Sequence, residues 1–292
     1  MYRFILFAVV TFCLLFIAPA AAVAEDQFFD SEGVRIRYTD QGPRDGEPVV
    51  LIHGGFSNIE AQWAETGVID ALDDAYRVIA LDVRGHGKSD KPHDPDAYGN
   101  MMAVDVIRLL DHLAIDRAHI VGYSMGGAIT YRLVADYPDR VISAMPCGAG
   151  YGDPSPDGDD IFEQLAKSLE ESGSIRPILD YYITDGSMTE AEVEQIVTTI
   201  RETNDTVALA HVARSIGDLR PDRAKLEANT VPCLCVIGEL NPNRAGVEAM
   251  MQYMPHLEVQ VVEDADKMTT DLPPAFIAAI RAFLGKHASD DE

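Results

Sequence analysis

Ala118-His119-Ile120-Val121-Gly122-Tyr123-Ser124-Met125-Gly126-Gly127 constrains this chain more than any other stretch. A short apolar run ends at a serine set between two glycines, and helical spacing then continues through Leu133 and Tyr137. Gly122-Tyr123-Ser124-Met125-Gly126 fits G-x-S-x-G, a sharp strand-to-helix turn that lifts a serine out of the backbone. Side chains in place of the flanking glycines would strike the neighbouring strand and helix. Five residues of this composition recur by chance, so the motif rests on its context, an apolar strand before and a helix after. Ser124 is the candidate nucleophile.

The rest of the chain supplies the sheet such a strand needs. Phe28-Phe29 and Val34 to Tyr38 read as edge strands, followed by a turn cluster from Gln41 to Gly46. Pro48 to Ile52 is a continuous apolar run, as expected of a parallel strand covered on both faces, and it ends in His53-Gly54-Gly55-Phe56. A helix is expected through Trp63 to Leu72, and a strand from Tyr76 to Leu81. That strand runs into Asp82-Val83-Arg84-Gly85-His86-Gly87-Lys88-Ser89. A helix from about Tyr98 to Leu113 leads to the serine strand, and Val141 to Met145 forms the next one. This alternation predicts a parallel sheet with right-handed crossovers.

From Gly148 to Asn229 the pattern turns wholly helical. Apolar residues recur as Ile161-Phe162-Leu165-Leu169, Ile178-Leu179-Tyr182 and Val193-Ile196-Ile200. Strands return at Val231 to Gly238 and Leu257 to Val262, with helices from Ala245 to Tyr253 and Pro274 to Leu284. The expected organisation is a core of residues 25–148 and 230–287, a helical cap of residues 149–229, and an acidic tail, 288–292.

The chain has 292 residues, 47% of them apolar, enough for one large α/β domain with an insertion. Its formal net charge of −25 argues against binding nucleic acid or an anionic membrane surface. Residues 1–24 read as an export signal: Arg3, an apolar run from Phe4 to Ile17, and Ala22-Val23-Ala24 before Glu25. The run is short for a stable membrane span, so a periplasmic or secreted protein is expected. Cys147, Cys233 and Cys235 have no framework spacing and read as buried thiols; no metal site and no cofactor is assigned.

With these pieces in view, the chain resembles the α/β-hydrolase superfamily of serine nucleophile, capped and esterase-like. His53-Gly54-Gly55, Asp82-x-Arg84-Gly85-x-Gly87-x-Ser89 and Gly122-x-Ser124-x-Gly126 carry the resemblance, in the family's order and spacing. It implies a mostly parallel α/β sheet flanked by helices, with a helical cap insertion and a small-molecule substrate. It implies that Ser124 attacks a carbonyl carbon while the backbone N–H groups of Gly55 and Met125 form the oxyanion hole. His53, His86 and Arg84 are expected to brace loops. A serine nucleophile argues against the dehalogenase and epoxide hydrolase branches, which use an aspartate.

Two positions depart from the family pattern. Gly238-Glu239-Leu240-Asn241-Pro242 carries Asn241 where relatives usually have aspartate, and Asp264-Ala265-Asp266-Lys267-Met268 carries Lys267 in place of histidine. No other histidine suits the role: His211 reads as a helix-face residue of the cap, and Glu239 and Asp153 as solvated loop residues. In one account a neutral Lys267 deprotonates Ser124, as serine–lysine pairs do on other folds. The lysine pKa must then fall several units from ~10.4, which burial under a cap could provide. In the other, the site is a catalytically silent pocket that binds a small ligand, with Lys267 charged. A cofactor-free reaction other than hydrolysis would use the same oxyanion hole.

Overall fold

The computed structural model describes residues 25–151, 160–183, 188–265 and 274–288. Residues 1–24, expected to be an export signal, the acidic residues 289–292, Asp153 and Lys267 lie outside the described residues.

Among the described residues, eight strands form one sheet in the order β1-β2-β4-β3-β5-β6-β7-β8. β1 (Gln27–Ser31) and β2 (Val34–Gln41) pair antiparallel at one edge, and β2 pairs antiparallel with β4 (Tyr76–Leu81). β3 (Glu47–Ile52), β4, β5 (Ala118–Tyr123), β6 (Val141–Cys147), β7 (Cys233–Gly238) and β8 (Leu257–Val262) run parallel. All six residues of β5 are buried, because helices cover both faces and neither side of the strand meets water. Alternate residues feed two hydrophobic clusters: Ile120 joins one face with Val50 and Ile52, and Val121 joins the other with Val49 and Leu51.

α1 (Asn100–His112) and α2 (Met125–Asp136) pack on the first face, and α9 (Pro274–Lys286) on the second. The second face is also covered by the segment around Trp63 and Leu72, where a regular helix was expected. It forms a π-helical turn, Glu60–Ala64, and then a string of tight turns to Ala75. Gly67 interrupts it with φ +76°, and the Thr66 hydroxyl donates to the Gln62 carbonyl at 2.7 Å, competing with the backbone ladder.

Between β6 and β7 lie α3 (Ile161–Ser172), α4 (Arg176–Tyr182), α5 (Glu190–Thr203), α6 (Thr206–Ser215) and α7 (Arg223–Glu227). Their starts are written locally. Asp160 and Asp205 accept backbone N–H groups of the first turns of α3 and α6, and Thr189 and Glu192 close a reciprocal capping box on α5. Leu165, Leu169, Ile178, Val193, Val197 and Leu209 bury into a cluster of their own. α8 (Arg244–Met250) follows β7. Among the described residues no helix is long and apolar enough to cross a membrane.

Candidate active site

The parallel strands end together: Ile52 is in register with Gly122, and Tyr123 with Cys147. In open α/β sheets that end is where ligands bind. Ser124 sits there, between β5 and α2, with φ 55° and ψ −113°. A non-glycine residue holds this conformation only when its surroundings over-determine it. Here the Ser124 N–H donates to the Cys147 carbonyl at 2.9 Å, and its own carbonyl accepts from Ala128 at 3.0 Å. The flanking glycines leave the room needed. A Cβ on Gly126 would stand 2.0 Å from the Ile52 carbonyl oxygen, and one on Gly122 2.1 Å from the Gly126 carbonyl oxygen.

The loop after β3 forms the second wall. His53 is fully buried, with Nδ1 2.7 Å from the Gly54 carbonyl and Nε2 accepting the Val83 N–H at 3.0 Å. Both ring nitrogens are engaged and burial lowers its pKa, so it is a neutral brace, as expected. Gly54 donates to Gln62 Oε1 at 3.3 Å, and a Cβ on Gly54 would lie 3.3 Å from Ser124 Cβ, which puts this loop against the serine turn. Gly55 faces open space. Among the described residues the N–H groups of Gly55 and Met125 have no acceptor. Met125 is the first residue of α2, so its N–H lies at the positive end of the helix dipole. A carbonyl oxygen placed between these two donors would gain most as negative charge develops on it.

The loop after β4 is held by ionic hydrogen bonds. Arg84 forks onto Asp105 at 2.6 and 2.7 Å, and Asp82 accepts the N–H groups of Ile59 and Lys88 and pairs with Arg37 at 3.1 Å. Arg84 is thus the loop brace that was expected. His86 is fully buried with its Nδ1 3.3 Å from the Arg84 carbonyl, a loop-bracing contact; its Nε2 has no partner among the described residues, and the residue borders the cavity without exposing surface to it. Burial, with the His53 ring 5.2 Å away, pushes the His86 pKa down to about 3.

The cavity above Ser124 has a volume of about 400 Å³. α3 to α6 supply its roof through Phe162, Leu179, Ile196, Ile200 and Val212. Its polar wall residues, besides Ser124, include Ser57, Gln62, His86, Tyr182 and Asn243, and no charged side chain lines it among the described residues. Tyr182 reaches the cavity, whereas Tyr181 is exposed and Met188 packs into the cap. Sequence reading missed Gln62 and Asn243. Asn243 bridges core and cap, donating to the Gly148 carbonyl at 3.0 Å and reaching the Tyr182 hydroxyl at 3.5 Å. A polar residue two places beyond the expected acid was the available signal.

Asn241 is 2% exposed in the turn after β7, and its Oδ1 accepts the Asn243 N–H at 2.9 Å. Its Nδ2 is buried and has no partner among the described residues. It is not among the wall residues; Asn243 takes that place. The Leu240 N–H donates to the Ala265 carbonyl at 2.8 Å, which joins the turn after β7 to the loop after β8. Glu239 is exposed and accepts the Asp264 N–H, a loop role. His211 packs against the Tyr98 ring outside the cavity wall. No described residue shares a hydrogen bond with the Ser124 hydroxyl.

A sequence model of the family described as alpha/beta hydrolase fold matches residues 47–225. The chain is 34% identical over 173 residues to the dihydrolipoyllysine-residue acetyltransferase component of the acetoin cleaving system of Cupriavidus necator, covering 59% of this chain and 44% of that protein. It is 26% identical over 276 residues to a putative 2-succinyl-6-hydroxy-2,4-cyclohexadiene-1-carboxylate synthase of Bacillus subtilis, covering 87% and 96%. Hydrolases recur among its other relatives, and the chain spans about half the length of several curated proteins it matches. A thermophilic esterase from Thermogutta terrifontis superposes with a TM-score of 0.71 at 25% identity, over 91% of this chain and 100% of that one.

Proposed function

The chain belongs to the α/β-hydrolase fold family, and on that footing we propose that it is an exported hydrolase cleaving esters, or related carbonyl compounds, of neutral apolar acids through Ser124. One observation carries the reading. Ser124 is held at positive φ on the floor of a cavity whose described wall is uncharged, beside two backbone N–H groups without acceptors among the described residues. The Ser124 hydroxyl oxygen attacks the substrate carbonyl, and the developing oxyanion takes hydrogen bonds from Gly55 and Met125. A neutral Lys267 accepts the serine proton and returns it to the leaving alcohol; water then hydrolyses the acyl-serine. A neutral lysine is consistent with the described residues. No carboxylate lines the described cavity, and the acid position holds the Asn241 amide, so nothing described there favours the charged form. Export rests on the pattern of residues 1–24.

A second reading, a pocket that binds a ligand without turnover, is favoured by the unpartnered Asn241 amide and by a Ser124 hydroxyl with no described base. A fluorophosphonate probe separates the two. The hydrolase labels at Ser124, faster as pH rises from about 7 to 10 as the lysine loses its proton, and Ser124→Ala abolishes labelling. Absence of labelling across that range would leave the binding reading. The mass of the protein recovered after expression with its own N-terminus should correspond to a chain starting at Glu25.

A further inference from the structure

Two cavities meet at one side chain. Besides the cavity above Ser124, a second of about 260 Å³ lies between α7 and α8, with Arg220, Arg223, Leu226, Met250 and Tyr253 in its wall. Tyr151 is the one described residue that lines both. The chain leading to it is pinned. The Gly148 N–H donates to the Val236 carbonyl at 3.2 Å, and a Cβ on Gly150 would stand 2.3 Å from the backbone nitrogen of Val247 in α8. The ring then has Tyr131 of α2 on one side, with centroids 6.0 Å apart, and the Arg220 guanidinium 5.6 Å from its own centroid.

This placement closes one end of the Ser124 cavity. Ser124 and Ala128 share a face of α2 and both line the cavity. Tyr131, the next residue on that face, does not; it is fully buried beside the Tyr151 ring. Seven residues of helix put that point about 10 Å along α2 from Ser124. Tyr151 itself is only partly buried, so it presents surface to what fills the cavity. Its hydroxyl makes no hydrogen bond among the described residues, which leaves the bulk of the ring as its contribution. The compartments differ in charge: no charged side chain lines the first among the described residues, whereas two guanidinium groups border the second, that of Arg223 with Glu227 at 2.8 Å. We propose that Tyr151 is a specificity-determining partition, which ends the run of an unbranched acyl chain extending from Ser124 along α2 and keeps its apolar end out of the arginine-bordered cavity. The favoured ligands are neutral chains that stop short of the ring. That the chain belongs to an ester rests on the Ser124 reading; the partition does not.

A series of p-nitrophenyl esters from acetate to palmitate tests it. Tyr151→Ala should move the optimum to longer chains by at least about two carbons, each methylene that enters the second cavity raising kcat/KM about fourfold. Tyr151→Phe, which keeps the ring, should keep the optimum. Leu226→Phe narrows the second cavity alone, so it should leave the optimum in place when Tyr151 is present and bring it back when added to Tyr151→Ala. Calorimetric binding of the corresponding methyl esters to Ser124→Ala, with and without Tyr151→Ala, reads the same limit without turnover. If no ester is hydrolysed but Tyr151→Ala lengthens the chain that Ser124→Ala binds best, the hydrolase reading fails and the partition stands. An optimum that Tyr151→Ala leaves unmoved, in rates and in binding, overturns the proposal. So does a lengthening that Tyr151→Phe reproduces, or one that Leu226→Phe does not reverse. Where circular dichroism shows that Tyr151→Ala does not fold, Tyr151→Leu takes its place with the same expected direction.

Discussion

Three buried histidines make an acid-sensitive device at the level of single residues. Burial holds His53, His86 and His119 below their ordinary pKa, His86 to about 3. Above pH ~6.5 folded and unfolded chains are both neutral at these rings, and the stability of burying them uncharged is fully present. As pH falls below ~6.5 the unfolded chain takes up protons that the native state refuses, so stability drops on the way to pH 3. Carboxylates with lowered pKa, such as Glu60, contribute only below ~4.5, which leaves the window from 6.5 to 4.5 to the histidines. The expected outcome is a melting temperature that is level from pH 8 to 6.5 and then declines, with a shallower decline in His86→Gln. Scanning calorimetry in buffers of matched ionic strength measures both. A melting temperature that holds level down to pH 5 would mean the rings are protonated in the fold.

The elements were legible to the degree that periodicity decided them. β5, α2 and β8 fall where the pattern put them: β5 is an apolar run covered on both faces, whereas β8, at the sheet edge, keeps only Leu257 buried and shows in its alternation. The segment from Trp63 to Leu72 was not legible, since apolar spacing reports which residues are buried and not whether the backbone between them is regular. The cap shows the same limit from the other side. Leu165 and Ile196 carry the same spacing signal, yet Leu165 is in the cap's core and Ile196 is only partly buried against it; both reach the cavity wall. Which face of a helix meets a void depends on its partners, and partners are not local. The site divides likewise: the strained serine and its glycines follow from sequence, whereas Gln62, His86 and Asn243 are brought together by tertiary contacts alone. Because α5 lends Ile200 to the roof, Ile200→Trp should fill part of the 400 Å³ above Ser124. Across a series of p-nitrophenyl esters from acetate to decanoate, the optimum should move to shorter acyl chains by about two to four carbons, at ~0.8 kcal/mol per methylene lost from the pocket. An unmoved optimum would place the acyl chain elsewhere.

At the scale of the whole molecule, a chain of net charge −25 encloses a cavity whose described wall carries no charge. Anionic substrates are opposed twice, by the long-range field and by desolvation inside. A hemisuccinate ester should therefore be hydrolysed at least about tenfold more slowly than its neutral isostere. Raising salt from 0.01 to 0.5 M should narrow the gap, as screening shortens the field from about 30 Å to under 10 Å. Initial rates for the two esters at both ionic strengths measure this, and a preference for the anion at low salt would point to a cation within reach of the site. One further consequence follows from α3, α4 and α5 burying their apolar residues in a cluster apart from the two that sandwich the sheet, whereas Ala208 and Val212 of α6 join the sheet's own packing. The roof residues of α3, α4 and α5 can change without loosening the strands that aim Ser124, so descendants of this chain are free to exchange one acyl preference for another while the reactive turn is inherited intact. Selection meets two separable problems here, and the chain solves them in different places.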